Sequence, residues 1–358
     1  MRKTYIDNIR WITVVLVVIY HVIYMFNGVE TAGVLGTPGK VQIQDTYLYM
    51  VYPWFMLLLF VISGMSARFY LDSHTQKEFV RSKTRKLLVP STIGLLVFWW
   101  ILGYLNLQLS GAYVNMAGAV PGPILFLIMA SSGIGPMWYI QTLWLLCLLL
   151  VLIRKIERDR FYEFCSKANI FILLALVLIT WGGAQLFNTP VIIVYRFGIY
   201  GAGFFIGYFV LSHEEVMDRL SKYWLPLLVA MLVLCVAEVV CFWQKPYASH
   251  EVLDTLLCNA YAWIATLGIL AVMKKWGNFE NAFTKWMTKK SWGIYLFHYL
   301  TLAAGAWLLS QYLPNMPVVG SYIVTGICAF GGALVLYEVI SRIPVLRWCI
   351  CGIGGKKK

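Results

Sequence analysis

The sequence predicts an all-α, polytopic integral membrane protein with about ten transmembrane helices and both termini in the cytoplasm. Of the 358 residues, 60% are hydrophobic and only 13% are charged, whereas a soluble domain carries roughly 25% charged residues. Apolar runs of about 20 residues recur along the chain, and each is long enough to cross about 30 Å of hydrocarbon. Lysine and arginine concentrate in alternate loops between these runs.

Hydropathy predicts each span in turn, and prolines mark several of the ends because proline cannot donate the next helical hydrogen bond. The first apolar run continues to Phe26 without a small-residue cleavage pattern, which favours a retained span over a signal peptide. The ten predicted spans are 9–27, 50–70, 87–109, 136–153, 169–187, 191–211, 224–243, 252–273, 291–312 and 318–340.

The distribution of positive charge predicts the orientation. All but three of the 29 lysines and arginines fall at the termini or in the loops that follow even-numbered spans; the exceptions are Lys40, Arg196 and Lys245. The positive-inside rule therefore places both termini in the cytoplasm, and this alternation requires an even number of spans. We interpret the net charge of +13 as a cytoplasmic belt that faces anionic lipid and phosphate-bearing ligands, and not nucleic acid.

Residues 87–153 contain no Asp, Glu, Lys, Arg or His. Within this stretch, the segment SGAYVNMAGAVPGPILFLIMASSGIG (110–135) has an apolar core too short to cross the membrane, which predicts a re-entrant or surface segment on the outer side. No internal repeat or charged linker divides the chain, so a single domain is predicted over 1–358. No Cys/His cluster has metal-ligand spacing, so no metal is expected.

Ionisable residues inside spans indicate functional positions by default. Six are candidates: His21, Arg196, Glu238, Asp254, His298 and Glu338. Some have simpler structural interpretations: Glu338 is spaced to pair with Arg342 one turn later. A buried, neutral histidine that donates to a carbonyl is the structural alternative for either imidazole.

The first span places three polar residues on one helical face. At about 100° per residue, Arg10 lies about 20° and Asp7 about 40° from His21, although Arg10 and His21 are about 16 Å apart along the axis. We therefore predict that Arg10 and His21 occupy successive positions along one face of the helix, with Arg10 at its cytoplasmic end and His21 near mid-membrane. His298 lies at a similar depth, where a neutral imidazole can act as a base near pH 7.

Six ordered segments resemble the membrane-bound acyltransferase family 3, which includes bacterial O-acyltransferases and glucan succinyltransferases. They are DNIRWITVVLVVIYH, with Arg10 and His21 at the family's spacing, and then FVISGMSARF, RSKTRKLLVP, GPMWYIQTLWLL, SWGIYLFHY and LYEVISRIPVLR. The resemblance implies transfer of a short acyl group from cytoplasmic acyl-CoA, with acetyl-CoA as the leading choice, to an extracytoplasmic hydroxyl or amine. His21 would either deprotonate the acceptor or briefly hold the acyl group itself. Many relatives carry an acidic residue shortly after the Trp of the fourth segment. Here Trp138 is followed by Tyr139, Ile140 and Gln141, which favours the glucan-modifying or small-substrate branches.

On these grounds the sequence predicts three groups of site residues. The catalytic group is Asp7, Arg10, His21 and His298. The donor-binding group, in which the basic cluster at 81–86 recognises phosphate, is Ser63, Gly64, Arg68, Arg81, Lys83 and Arg85. The substrate-binding group is Trp138, Tyr139, Gln141, Tyr295 and Arg196.

The expected partners are the lipid bilayer of a bacterial cell membrane (inner or plasma membrane), acyl-CoA and a glycan or small-molecule acceptor. Ordinary positive-inside charge is the alternative interpretation of the basic cluster. A transporter or flippase for a glycan or lipid-linked intermediate is the alternative function, and a non-catalytic scaffold is a third.

Overall fold

The computed structural model describes residues 3–29, 41–189 and 194–354. The chain is 79% helical, and the described residues form no β-strand. The predicted all-α class is therefore confirmed. Lys40, one of the three exceptions to the charge distribution, and the start of the sixth predicted span lie outside the described residues.

The α-helices are, in chain order, α1 (Thr4–Tyr24), α2 (Thr46–Leu71), α3 (Gln76–Lys83), α4 (Trp100–Leu109), α5 (Ala112–Met116), α6 (Gly122–Ser132), α7 (Met137–Glu157), α8 (Arg160–Cys165), α9 (Ile170–Ala175), α10 (Val177–Ala184), α11 (Phe197–Phe209), α12 (Glu214–Lys222), α13 (Trp224–Phe242), α14 (His250–Leu253), α15 (Leu256–Trp276), α16 (Ala282–Tyr312), α17 (Val318–Ile327), α18 (Ala333–Arg342) and α19 (Pro344–Cys351). Wider π-helical turns occupy Thr84–Leu88, Leu95–Trp99 and Cys328–Gly332, and a 3₁₀ turn occupies Ile43–Asp45.

Seven of the described helical segments are long and apolar enough to cross a membrane: Thr4–Tyr24, Ile43–Leu71, Met137–Glu157, Trp224–Phe242, Leu256–Trp276, Ala282–Tyr312 and Val318–Arg342. They coincide with seven of the ten predicted spans. At the other three predicted spans the structure has shorter apolar helices, Leu95–Leu109, Ile170–Ala184 and Phe197–Phe209. The protein is thus a multi-pass membrane protein, whereas the count of ten and the orientation of the termini stay predictions.

The residues group into two compact units, the first made of Met1–Leu16, Thr46–Val80 and Leu145–Thr288. In this unit α2 and α11 touch along their backbones. A Cβ added at Gly64 would lie 1.9 Å from the carbonyl oxygen of Phe204, and one at Gly207 would lie 2.1 Å from that of Val61. Only glycine permits so close an approach of two helices, as is common in membranes.

The second unit comprises Val17–Asp45, Arg81–Trp144 and Lys289–Lys358. Here α4 and α6 approach closely through Gly103, whose added Cβ would lie 1.7 Å from the carbonyl oxygen of Met129. Trp99 is fully buried and packs on Phe297 of α16 with ring centroids 5.3 Å apart. These contacts hold α16 among its neighbours in this unit. The predicted single domain over 1–358 stays a prediction.

Candidate active site

Two imidazoles meet inside the second unit. Nε2 of His298, on α16, lies 3.2 Å from Nδ1 of His21, on α1, and the ring centroids are 5.0 Å apart. Each ring is also tied to its own helix: Nδ1 of His21 lies 2.8 Å from the carbonyl oxygen of Val17, and Nδ1 of His298 lies 2.8 Å from that of Tyr295. The two histidines that the sequence placed at similar depth are therefore in direct contact.

The two rings differ in accessibility. His298 is completely buried, whereas His21 is only partly buried. Tyr299 packs edge-on against His21 with ring centroids 5.0 Å apart. Among the residues that the structure describes, Nε2 of His21 has no hydrogen-bond partner, whereas Nδ1 contacts Val17 and His298.

Tyr295 connects this pair to the segment that follows α6. Its hydroxyl donates to the carbonyl oxygen of Pro136, and its ring packs edge-on against Tyr139 at 5.9 Å. Pro136 immediately follows Gly135, which has a φ of +41°, a conformation that glycine adopts at little cost. Tyr295, predicted as substrate-binding, thus lies next to His298, with ring centroids 6.4 Å apart, and Tyr139, also predicted as substrate-binding, contacts Tyr295.

The other two predicted residues of this segment, Trp138 and Gln141, contact Tyr139 and the backbone of Ser91 respectively. Trp138 packs edge-on against Tyr139 at 6.4 Å. Gln141 donates from Nε2 to the carbonyl oxygen of Ser91 at 2.8 Å. This bond ties α7 to the turn after Pro90, which is a structural use of the Gln141 amide.

A row of rings runs from the imidazoles to the basic cluster. Tyr295 stacks on Trp292, with ring centroids 5.7 Å apart, and the Lys86 ammonium lies 5.0 Å from the centroid of the Trp292 ring. Trp292, Tyr295 and His298 are spaced three residues apart on α16, so six residues carry the row about 9 Å along the helix. Neither Lys86 nor Trp292 was among the predicted site residues, although the three-residue spacing from His298 is a signal that points to Trp292.

The basic cluster at 81–86 lies at the Trp292 end of this row. Arg81, Arg85 and Lys86 are exposed, and Lys83 is partly buried. Within the described residues, Arg81 and Arg85 have no ion-pair partner, whereas nearby Lys290 is bound to Glu338 at 2.6 Å. Glu338 also pairs with Arg342 at 2.9 Å, as the sequence predicted.

The C-terminal residues pack on the same cluster. The indole nitrogen of Trp292 donates to the carbonyl oxygen of Cys351 at 3.0 Å. Gly352 has a φ of +65°, and a Cβ there would lie 2.6 Å from the carbonyl oxygen of Arg85. The last residue of α19 therefore holds the Trp292 ring, and Gly352 after it packs on the Arg85 backbone.

Asp7 and Arg10 lie in the first unit and pair with each other. Arg10 Nη1 donates to Asp7 Oδ1 at 2.8 Å, and Nη2 donates to Ser66 Oγ on α2 at 2.9 Å. The Arg10 side chain remains 39% exposed, so its guanidinium is held in position and still accessible. The pairing with Asp7 follows from the three-residue spacing, whereas Ser66 carries no comparable signal in the sequence.

Arg68, predicted from the resemblance to bind the donor, is fully engaged by neighbours in the first unit. Its guanidinium donates to Asp159 at 2.6 Å, lies 2.9 Å from Asp72, and stacks 3.6 Å from the centroid of the Tyr162 ring. Asp159 itself has a left-handed backbone with a φ of +63°. These contacts fix the turn between α7 and α8, and the donor-binding role of Arg68 stays a prediction.

Three further predicted residues lie in the first unit. Arg196 is 5% exposed and donates to the carbonyl oxygen of Leu253 at 3.0 Å and to Asp254 at 3.4 Å. Gly64 is the close-contact position between α2 and α11, and Ser63 precedes it on α2. The donor-binding roles of Ser63 and Gly64 and the acceptor role of Arg196 stay predictions.

Glu238 lies in α13 and is almost completely buried at 1% exposure. Its Oε2 has no hydrogen-bond partner among the described residues.

Comparison of the sequence with known protein families identifies the family of this chain. A family model described as an acyltransferase domain, acyltransferase family 3, matches residues 3–338. No curated protein and no solved structure matches the chain. Because the family match covers nearly the whole chain, the protein belongs to acyltransferase family 3 and is a membrane acyltransferase. This result favours an enzyme over the transporter and scaffold alternatives.

Proposed function

We propose that this member of acyltransferase family 3 moves a short acyl group, such as acetyl, from cytoplasmic acyl-CoA to an acceptor on the outer side of a bacterial cell membrane. In this proposal His21 is the base, and the acceptor is a hydroxyl or amine, most simply that of a glycan. The observation that carries the proposal is the contact of 3.2 Å between His21 and His298. A partly accessible imidazole with a fixed orientation is the group that general-base catalysis requires.

The donor is proposed to bind along the row of rings in the second unit. Arg85 and Lys86 supply positive charge for the phosphates of acyl-CoA, because guanidinium and ammonium groups are the usual phosphate ligands. Trp292 and Tyr295 continue the row towards His298. In this arrangement the nucleotide end of acyl-CoA would bind at the basic cluster, and its thioester carbonyl would lie at the two imidazoles.

The proposed reaction exchanges one bond for another at the acyl carbon. The acceptor oxygen or nitrogen bonds to that carbon while His21 removes its proton. The carbon–sulfur bond then breaks, and the thiolate leaves with the proton that His21 returns to it. The histidine therefore ends in its starting state, and an amino-acid base of this kind typically accelerates a reaction by about 10²–10⁴-fold.

The glycan acceptor rests on the resemblance of the segment after Trp138, which has no carboxylate. Asp7 and Arg10 keep their predicted catalytic assignment. The contacts of Arg10 with Asp7 and Ser66 support a role in which its exposed guanidinium binds an anionic group of a substrate.

The test is acyl transfer by the purified protein in detergent, with acetyl-CoA or succinyl-CoA as donor and a glucan oligosaccharide as acceptor. Mass spectrometry quantifies both the acylated oligosaccharide and free CoA. We expect His21→Ala to lower turnover by about 10²-fold or more. His74→Ala is the matched control, because His74 is an exposed histidine of the first unit whose side chain contacts Tyr70 and Ser73.

Two results would contradict separate parts of the proposal. Wild-type turnover in a folded His21→Ala variant would exclude His21 as the base. Failure of the wild-type protein to consume either acyl-CoA would exclude the donor, while the membership of the acyltransferase family would stand.

A further inference from the structure

The positions of the imidazole hydrogens follow from the backbone carbonyls around the two rings. A carbonyl oxygen accepts hydrogen bonds and never donates one. Nδ1 of His21 faces the carbonyl oxygen of Val17 at 2.8 Å, and Nδ1 of His298 faces those of Tyr295 and Ile294 at 2.8 and 3.1 Å. Each Nδ1 therefore carries a hydrogen in the neutral ring, and each Nε2 carries a lone pair.

The hydrogen bond between the two rings therefore has a defined donor and acceptor. Nε2 of His298 is 3.2 Å from Nδ1 of His21, so the lone pair of His298 accepts the Nδ1–H of His21. That hydrogen is shared between His298 Nε2 and the carbonyl of Val17. The only ring nitrogen of the pair that is left for a substrate is Nε2 of His21.

We propose that His298 is a positioning residue whose neutral Nε2 orients His21 and stabilises the proton that His21 takes up during acyl transfer. This inference rests on the proposed function of His21 as the base. When Nε2 of His21 is protonated, its positive charge strengthens the bonds from Nδ1–H to His298 and Val17. A proton on Nε2 of His298 would instead face the N–H of His21, so the pair takes up one proton and holds it on His21.

His298 thereby does what a carboxylate does for the histidine of a serine-protease triad, where an acceptor behind the base selects its tautomer and orientation. No Asp or Glu oxygen lies within hydrogen-bond distance of either imidazole in the described part of the chain. A neutral acceptor suits this location, because an isolated ionised carboxylate is costly in a low-dielectric interior. The complete burial of His298 is consistent with an acceptor that never contacts the substrate.

The experiment compares two replacements of His298 in the full-length protein. His298→Gln keeps an acceptor, the side-chain oxygen, that cannot be protonated in the working pH range, whereas His298→Leu removes the acceptor and roughly keeps the volume. We expect kcat of His298→Leu to fall by about 10- to 100-fold with little change in KM for acetyl-CoA, because a hydrogen bond to a charged group is lost. His298→Gln should recover most of that loss, and His74→Gln should match the wild type.

A second measurement does not depend on turnover or on the variants folding. Diethyl pyrocarbonate acylates accessible, unprotonated imidazole nitrogens, and peptide mapping by mass spectrometry locates the product. In the wild-type protein we expect rapid modification of His21, slowed by acetyl-CoA, and very slow modification of His298. Faster modification of His298 than of His21 would overturn the assignment of the free nitrogen.

The remaining outcomes separate this inference from the proposed function. If the wild type transfers acetyl groups and a folded His298→Leu does so at the same rate, the positioning role is wrong and the function stands. If His298→Gln is as impaired as His298→Leu while both are folded, His298 must itself be protonated, which overturns the acceptor role. If the wild type transfers no acyl group, the proposed function fails and this inference fails with it.

Discussion

Replacing Gly64 with alanine tests whether this residue joins two helices or binds a substrate. The added Cβ would lie 1.9 Å from the carbonyl oxygen of Phe204 and 2.9 Å from the amide nitrogen of Tyr208, whereas ordinary contact begins at 3.4 Å. Both opposing atoms belong to helix backbone, so no side-chain rotation relieves the overlap, and α2 and α11 must separate locally by about 1.5 Å.

Overpacking of this kind costs typically 1–3 kcal/mol, occasionally more. The better helix propensity of alanine returns at most about 1 kcal/mol. Because the opposing atoms are backbone, we use the upper overpacking cost of about 3 kcal/mol, and we therefore expect Gly64→Ala to lower the free energy of unfolding by about 2 kcal/mol after the gain in helix propensity.

The assay heats the detergent-solubilised protein and measures the folded fraction that remains by fluorescence-detected size-exclusion chromatography. Gly182→Ala is the matched control, because Gly182 lies in a helix of the same unit and a Cβ there meets no atom within 4 Å. That variant should be unchanged or slightly more stable. If Gly64→Ala is as stable as Gly182→Ala but has a raised KM for the acyl donor, the packing explanation is refuted in favour of donor binding.

Two other predictions concern stability. Burial alone would raise the pKa of Asp159, but the hydrogen bond from Arg68 and the charges of Arg68 and Arg154 outweigh it and hold the pKa below its usual value of 3.8. The stabilisation by the ionised carboxylate is therefore complete above the unfolded-state pKa and is lost as the pH falls through the folded-state pKa. We expect the stability advantage of the wild type over Asp159→Asn to shrink as the pH falls below about 5 and to be lost as the pH passes through the folded-state pKa in thermal unfolding measurements; an advantage independent of pH would contradict the ion pair. We also expect Tyr295→Phe, which removes the hydrogen bond to Pro136, to cost about 1 kcal/mol in the same measurement. Tyr312→Phe, at an exposed position on the same helix, should cost nothing measurable.

Hydropathy located the helices well because a membrane requires long apolar segments with internally satisfied backbones. It was less successful where the helix is interrupted. The third predicted span, 87–109, contains Pro90 and two π-helical turns, and its regular α-helix is only Trp100–Leu109. Hydropathy counts apolar residues and is insensitive to such local departures from α-helical hydrogen bonding.

Helical spacing within one segment predicted only some of the contacts at the site. It predicted that Glu338 pairs with Arg342 and that Asp7 and Arg10 share one helical face; the structure has the first pair and also pairs Asp7 with Arg10. It could not predict that Arg68 is bound by Asp159, which is 91 residues away along the chain. A cation that is satisfied by a distant partner has the same sequence pattern as one that binds a phosphate.

The amino-acid sequence by itself determined that this is a multi-pass helical membrane protein of acyltransferase family 3, because apolar run length and motif order are properties of the linear chain. It also placed His21 and His298 at similar predicted depth. Only the tertiary structure decided that the two imidazoles touch, that Trp292 and Lys86 continue the row from them, and that Gly64 joins two helices. Those facts depend on how helices pack side by side, and that packing is set by backbone approaches of a few ångströms between segments far apart in the chain.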